Sequence, residues 1–301
     1  MRRKRKSNNN TFHPSKALSP LRYPGGKSWL IPNVEKWLTA IKATRRHRLV
    51  EPFAGGANVG LAMLARGKVG ALTIVELDKR IAAFWKLVLR DPEWLIRAIR
   101  NFTPTRKNLA ERLGRNARRF RELGFQTLLK NRTSRGGVIA PRAGILKHGE
   151  RKRGPFSRWY PDTLIKRVKR ISELEDKIKL VHGDGLRILR ERKKRTNDVY
   201  FVDPPYSFSS NGAGRRLYSH YEVPHEDLIK AVKKLRGPFL MTYDNDAAIH
   251  ALAKKHKLST SKIQMRSSHH ANKKELLISS DLSGIRRKRG HSARARRKST
   301  H

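Results

Sequence analysis

The chain has 301 residues and a formal charge of +46, because 70 lysines and arginines stand against 24 aspartates and glutamates. Its lack of cysteine excludes disulfides, thiolate metal sites and any thiol nucleophile, and no apolar run approaches the roughly 18 residues of a membrane span. Such a charge predicts a polyanionic partner: nucleic acid is favoured over an anionic membrane or a ribosome, and adaptation of the surface to solubility is the alternative.

Strand-like and helix-like segments alternate along most of the chain. Apolar runs predict strands, and the 3.6-residue spacing of apolar side chains predicts helices. The predicted strands are 47–51, 71–76, 177–181, 198–202, 238–243, 261–266 and 274–280. The predicted helices are one from about Ser28, then 57–66, 80–90, 185–193, 224–236 and 245–256. This order predicts an α/β fold with a doubly wound, mostly parallel sheet covered by helices on both faces.

One basic stretch interrupts the alternation. Residues 105–158 contain 16 lysines and arginines and three glutamates, a net charge of +13. A structureless loop of this length is improbable inside a domain, so the stretch predicts an inserted, partly helical subdomain. The predicted organisation is a basic disordered arm at 1–17, a main domain at 18–100 and 160–283, the insert at 101–159 and a basic disordered tail at 284–301.

A glycine-rich loop follows the first predicted strand, in the sequence Glu51-Pro-Phe-Ala-Gly-Gly-Ala-Asn-Val-Gly60. Glycines let a ligand approach the backbone, and the following helix presents free N–H groups, so the loop predicts a nucleotide-type site. Glu76 ends the next strand, where an acidic side chain can accept hydrogen bonds from ribose hydroxyls. An exposed glutamate paired with Lys79 is the alternative for Glu76.

The sequence Asp203-Pro-Pro-Tyr206 directly follows a continuously apolar strand. The two prolines fix the backbone, so the Asp203 carboxylate and a neighbouring carbonyl form a rigid pair of acceptors, which is what an exocyclic amine requires. Tyr206 offers a flat face on which a base could stack. An ordinary strand-ending turn is the alternative, but the position after the glycine loop favours a catalytic site.

A second loop, Leu21-Arg-Tyr-Pro-Gly-Gly-Lys27, precedes the first predicted helix. It combines an aromatic ring, a flexible turn and a cation. Lys27 could hold the carboxylate of a ligand, and Tyr23 could cover it. A loop with no ligand is the alternative for this segment considered alone.

With these motifs in order, the chain resembles the Dam-like (D12 class) DNA adenine N6-methyltransferases over roughly residues 16–282. The matching motifs are YPGGK at 23–27, EPFAGG at 51–56, VELD at 75–78 and DPPY at 203–206. The resemblance implies the class I methyltransferase sheet with an antiparallel last strand. It also implies that S-adenosylmethionine is the methyl donor and that duplex DNA is the substrate.

The resemblance assigns expected roles to individual residues. Asp203, Pro204 and Tyr206 match the catalytic motif, which holds the amine of a flipped adenine for direct methyl transfer. The expected donor-binding residues are Tyr23, Lys27, Phe53, Ala54, Gly55, Glu76 and Asp184. The basic insert falls at the family's target-recognition region, and its expected DNA contacts are Arg132, Arg135, Arg142 and Trp159. No metal site is expected, because the histidines show no ligand spacing with carboxylates.

Two other functions stay open at this stage. Cytosine-N4 methylation uses similar chemistry, although Asp203 stands where that activity typically has serine. A catalytically silent, basic nucleic-acid-binding protein of the same fold is an alternative from another class. The protein is expected to be a monomer, with a cognate restriction endonuclease as a candidate partner. By resemblance, it is expected to be cytoplasmic and of prokaryotic or phage origin.

Overall fold

The protein is described from a computed structural model. It describes residues 18–23, 25–140, 143–149, 153–205, 223–264, 274–282 and 284–285. The predicted arm at 1–17, most of the predicted tail, Arg142 and Tyr206 lie outside these ranges.

A seven-stranded sheet forms the centre of the molecule, in the order β3-β2-β1-β4-β5-β7-β6. The strands are β1 Arg48–Glu51, β2 Ala71–Glu76, β3 Ile178–His182, β4 Asp198–Val202, β5 Phe239–Asp244, β6 Ser259–Gln264 and β7 Lys274–Ser279. The pairs from β3 to β5 are parallel, and β7 is antiparallel to both β5 and β6. This order confirms the predicted doubly wound, mostly parallel sheet.

Helices cover both faces of the sheet. They are α1 Ile31–Ala40, α2 Asn58–Ala65, α3 Lys79–Arg90, α4 Pro92–Asn101, α5 Arg106–Gly114, α6 Phe120–Thr133, α7 Pro161–Ser172, α8 Gly185–Arg192, α9 His225–Lys233 and α10 Ala247–Lys255. None of the helices in the described ranges is long and apolar enough to cross a bilayer.

The central strands β1, β2, β4 and β5 are mostly apolar on both faces because each face packs against helices. Successive residues of a strand alternate between two cores: Leu49 belongs to one and Val50 to the other, and Val199 and Tyr200 divide in the same way. All five residues of β4 are buried. The sheet therefore has a fixed register, since a slip of one residue would exchange the two core faces.

Part of the predicted insert belongs to the main core. Helix α6 packs along α3, and Phe125, Leu128 and Leu129 are buried in the same core as the sheet. At Gly124 a Cβ would lie 2.8 Å from the Ala83 carbonyl oxygen, so glycine allows the close approach of the two helices. The stretch is partly helical as expected, but α6 is continuous with the core rather than separate from it.

Candidate active site

A cavity of about 310 Å³ opens at the carboxyl ends of β1, β2 and β4. The sheet order reverses between β1 and β4, which is where open α/β sheets bind ligands. The antiparallel direction of β7 brings Glu275, near the start of that strand, to the same edge beside Asp244. The chain direction thus gathers residues from distant parts of the sequence at one edge.

The glycine-rich loop is shaped by close contacts that only glycine permits. Gly55 has φ +47°, and a Cβ there would lie 2.6 Å from the Tyr23 ring. At Gly60 a Cβ would lie 3.0 Å from the Glu51 carboxyl carbon, and the Gly60 N–H donates to Glu51 Oε1 at 2.7 Å. The loop therefore holds the Tyr23 ring and the Glu51 carboxyl group against the cavity wall.

Glu76 orders the loop from within. Its Oε2 accepts from the Gly55 N–H at 3.0 Å, and its Oε1 accepts from the Asp78 N–H at 2.9 Å. The Trp85 indole N–H donates to the Gly55 carbonyl at 2.8 Å. Glu76 lines the cavity as predicted, and it also fixes the backbone of the loop. Each carboxylate oxygen has a second lone pair, so these bonds leave room for a ribose hydroxyl.

A buried charge cluster surrounds Asp203. The Lys27 ammonium lies 2.9 Å from Asp203 Oδ1 and 3.5 Å from Glu275 Oε1, and it donates to the Gly25 carbonyl at 2.8 Å. The Thr242 hydroxyl donates to Asp203 Oδ1 at 2.6 Å. Lys27 lines the cavity and orients Asp203. Its contact with a ligand carboxylate stays a prediction.

Burial shifts the protonation of the acidic groups around the cavity. It raises the pKa of Glu51 to about 8, although the hydrogen bond from the Gly60 N–H acts to lower this pKa. It also raises the pKa of Glu76 to about 7. Burial also raises the pKa of Glu275 to about 7, although the Lys27 charge opposes this. For Lys27 burial lowers the pKa, but Asp203 and Glu275 outweigh it and the net pKa is raised. Lys27 thus stays charged at neutral pH.

The cavity is acidic although the chain is strongly basic. Among the described residues, its wall contains one lysine, Lys27, and no arginine. Five carboxylate side chains line it: Glu51, Glu76, Asp78, Asp184 and Asp203. Such a lining favours a ligand that carries positive charge.

Nine of the predicted site residues line this one cavity: Tyr23, Lys27, Phe53, Ala54, Gly55, Glu76, Asp184, Asp203 and Pro204. Asp184 also caps α8, since its Oδ1 accepts from the Leu186 N–H at 2.9 Å. Tyr206 lies outside the described residues. The structure thus brings four separate sequence motifs and Asp184 to one place.

The predicted DNA-contact residues that the structure describes differ in their exposure to solvent. Trp159 is 6% exposed and packs edge-on against Phe102, so it is a core residue and not a surface contact. Arg132 is also 6% exposed. Its guanidinium donates to the Pro20 carbonyl, so it cannot extend into a groove to read bases. Arg135 is exposed, and Arg142 lies outside the described residues.

Some site residues escape the sequence analysis. Glu275 is the one acidic residue of β7 and directly precedes the apolar residues Leu276, Leu277 and Ile278, which is a signal for a buried charge. Thr242 gives no such signal, because threonine is common in strands. Val138 and Ile139 come from the predicted insert and line the same cavity. Only packing places them there.

The sheet order, the antiparallel β7 and the cavity at the carboxyl ends define a class I S-adenosylmethionine-dependent methyltransferase fold. Within that class, residues 23–127 match the family model of the D12 class N6 adenine-specific DNA methyltransferases, which confirms the resemblance predicted from the motifs. The matched residues include the Tyr23 loop, the glycine loop and Glu76.

A curated relative is the type II methyltransferase M.MjaIII of Methanocaldococcus jannaschii. It is 23% identical over 233 residues, which cover 72% of this chain and 78% of the relative. The family match and this relative together support DNA methyltransferase activity.

Similar solved structures include the rRNA methyltransferase AviRa of Streptomyces viridochromogenes, with 12% identity, coverage of 84% of this chain and 85% of that chain, and a TM-score of 0.35. Another is a precorrin-6y C5,15-methyltransferase of Geobacter metallireducens, with 10% identity, coverage of 80% and 84%, and a TM-score of 0.36.

Proposed function

We propose that the protein transfers a methyl group from S-adenosylmethionine to the N6 amine of an adenine flipped out of duplex DNA. The observation that carries the proposal is the fixed Asp203 carboxylate, which lines the acidic cavity beside Pro204. A target base inside a duplex must leave the stack to reach such a group. The family match supports adenine as that base.

The residues of the cavity suit this donor. Glu51 Oε2 is buried with no hydrogen-bond partner in the protein, and the loop glycines leave the backbone open to a ligand. Glu76 and Asp184 provide acceptors for hydroxyl and amine groups, and Tyr23 and Phe53 provide apolar faces. The bound donor supplies an electrophilic methyl group on a positively charged sulfur, which the acidic lining stabilises.

Asp203 and Pro204 act on the amine. The Asp203 carboxylate and the Pro204 carbonyl accept hydrogen bonds from N6, which directs the nitrogen lone pair toward the methyl group. As the N–C bond forms, the S–C bond breaks, the neutral thioether leaves, and the proton that N6 loses passes to the Asp203 carboxylate or to water. Lys27 and Thr242 both contact Oδ1 and so fix the rotation of the carboxyl group before substrate binds. Most of the rate enhancement then comes from positioning and from preorganised electrostatics. No covalent intermediate with the protein is needed.

The decisive experiment is methylation of duplex DNA by the pure protein, followed by digestion and mass spectrometry of the nucleosides. We expect N6-methyladenine from the wild type and none from Asp203→Asn, with donor affinity changed only a few-fold. Asp227→Asn is the matched control, because Asp227 is exposed on α9 and pairs with Arg190 away from the cavity. N4-methylcytosine as the product would replace the proposal with cytosine methylation.

The formal charge of +46 also supports a second candidate function, that of a catalytically silent nucleic-acid-binding protein of the same fold. DNA binding without donor binding or methylated product would favour it. The type II name belongs to the relative alone. For this chain a partner endonuclease, a monomeric state and a cytoplasmic location stay predictions.

A further inference from the structure

A second cavity, of about 230 Å³, lies outside the donor site and shares no lining residue with it. Four arginines line it, together with one tyrosine and two residues of α7: Arg22, Arg132, Arg158, Arg167, Tyr160, Thr163 and Leu164. Within the described part of the chain, no acidic residue lines the cavity. A concave surface with this lining is electrostatically suited to an anion.

The arginine cavity is built into the fold rather than formed by loose surface side chains. Arg132, at the end of α6, is 6% exposed, and its Nε is buried with no hydrogen-bond partner. Arg167 on α7 donates to the Ser19 carbonyl at 2.8 Å. Asn131 holds the backbone of Arg22 through two bonds, of 2.8 Å to its N–H and 2.6 Å to its carbonyl. These contacts position the guanidinium group of Arg167 and the backbone of Arg22, and the Pro20 carbonyl positions the guanidinium group of Arg132.

The positive charges of the cavity repel one another. Burial, followed by the charges of Arg167, Arg22 and Arg158, lowers the pKa of Arg132 to about 9, with Tyr160 acting in the opposite sense. At that pKa Arg132 remains charged at neutral pH. Arg132 and Arg167 donate to the backbone carbonyls of Pro20 and Ser19, which accept a hydrogen bond but do not neutralise the charge. A bound anion would remove this energetic cost.

The chemistry of the lining favours phosphate. Guanidinium groups bind phosphate oxygens through paired N–H donors, and several of them can surround one phosphate. S-adenosylmethionine contains no phosphate, so the donor does not account for the cavity. The remaining substrate, DNA, carries one phosphate for every nucleotide.

We propose that the arginine cavity binds one backbone phosphate of the DNA substrate, close to the target nucleotide. This proposal rests on the proposed function. Proximity to the target follows from chain connectivity, because Arg22 precedes Tyr23 and Asn131 also donates to the Gly137 carbonyl at 2.7 Å. Tyr23 and Gly137 both line the donor cavity. The cavity fixes the position of the strand and does not read bases.

Charge removal in the cavity tests the proposal. Arg158→Gln and Arg167→Gln should each weaken DNA binding roughly tenfold, the typical effect of losing one charge-assisted hydrogen bond. Each should also reduce the slope of log K against log salt by about 0.9. Fluorescence anisotropy over a salt series measures both effects. Donor affinity should not change, which shows that the variants fold.

Arg46→Gln is the matched control. It removes the same charge from the exposed loop before β1, where Arg46 lines a different surface depression, with Arg45 and Arg195. It should change affinity less than either cavity variant. Equal effects in all three variants would show that only net charge matters, and would overturn the proposal.

A scan with neutral methylphosphonate linkages locates the phosphate. In the wild type and in Arg46→Gln, one substitution near the target adenine should weaken binding roughly tenfold, whereas Arg158→Gln should lose no further affinity there. Absence of such coupling at any position would refute the cavity assignment. Binding of inorganic phosphate that these variants abolish, with DNA affinity unchanged, would assign the cavity to a free anion. Coupling without methylation would refute the proposed function alone.

Discussion

Lys27 and Asp203 form a salt bridge of 2.9 Å between residues from opposite parts of the chain, and Lys27 is 3% exposed in this pair. Glu275 is the second carboxylate near the same ammonium, at 3.5 Å. The Lys27 ammonium therefore holds two acidic groups together beside the cavity.

Lys27→Met should destabilise the protein by about 3 kcal/mol at pH 8, because removing one member of a buried ion pair leaves uncompensated charge. The loss should be smaller at pH 5.5, where Glu275 can become protonated. Urea unfolding measures both values. Adding Glu275→Gln should recover part of the loss at pH 8. Lys230→Met, which breaks only an exposed pair with Glu226, should cost less than about 1 kcal/mol.

The pH dependence of the free energy of unfolding should reveal the titration of Glu51. Its pKa is about 8 in the folded protein and 4.5 when unperturbed, so the folded state binds the proton more tightly. The resulting stabilisation is complete below about pH 4.5 and is lost as the pH rises through about 8. Glu51→Gln cannot titrate. Between these limits, its free energy of unfolding should fall less steeply than that of the wild type, by up to about 1.4 kcal/mol per pH unit. Identical slopes would contradict the buried, protonated state.

Gly55→Ala should lower donor affinity roughly tenfold, because the left-handed backbone and the contact of 2.6 Å with Tyr23 both oppose a side chain there. Calorimetric titration with S-adenosylmethionine measures the effect. Gly114→Ala is the control, since no atom lies within 4 Å of the added Cβ at the end of α5. A Gly55→Ala protein that binds the donor as the wild type does would remove the Tyr23 ring from the predicted site.

The basic N-terminal and C-terminal segments should contribute to DNA affinity and not to sequence specificity. Five positive residues lie between Arg2 and Lys6, and eight lie between Arg286 and Lys298. Deleting residues 1–15 and 285–301 should weaken binding to all DNA sequences alike and flatten the salt dependence, because phosphate contacts carry no sequence information. Sequencing of the methylated sites should show an unchanged recognition motif. A changed motif would mean that these segments also read bases.

Most of the fold was predictable because the central strands are apolar runs bounded by polar residues. Strand β4 has the predicted bounds, and α3 begins one residue earlier than predicted, after the cap Asp78. The burial of Arg132 was not predictable, since an arginine in a basic stretch looks exposed until the packing of α6 on α3 is known. Glu275 was visible only as the one acidic residue of β7, and its partner Lys27 lies 248 positions earlier (275 − 27).

The position of β7 has a consequence for the order of folding. Strands β5 and β6 precede β7 in sequence, yet β7 lies between them and pairs with both. That edge of the sheet can therefore close only after β7 inserts, and contacts of such sequence separation form slowly. Glu275 arrives with this strand. A folding intermediate that lacks β7 would retain Asp203 and Lys27 without their third charged partner, so assembly of the charge cluster should coincide with the last step in closing the sheet.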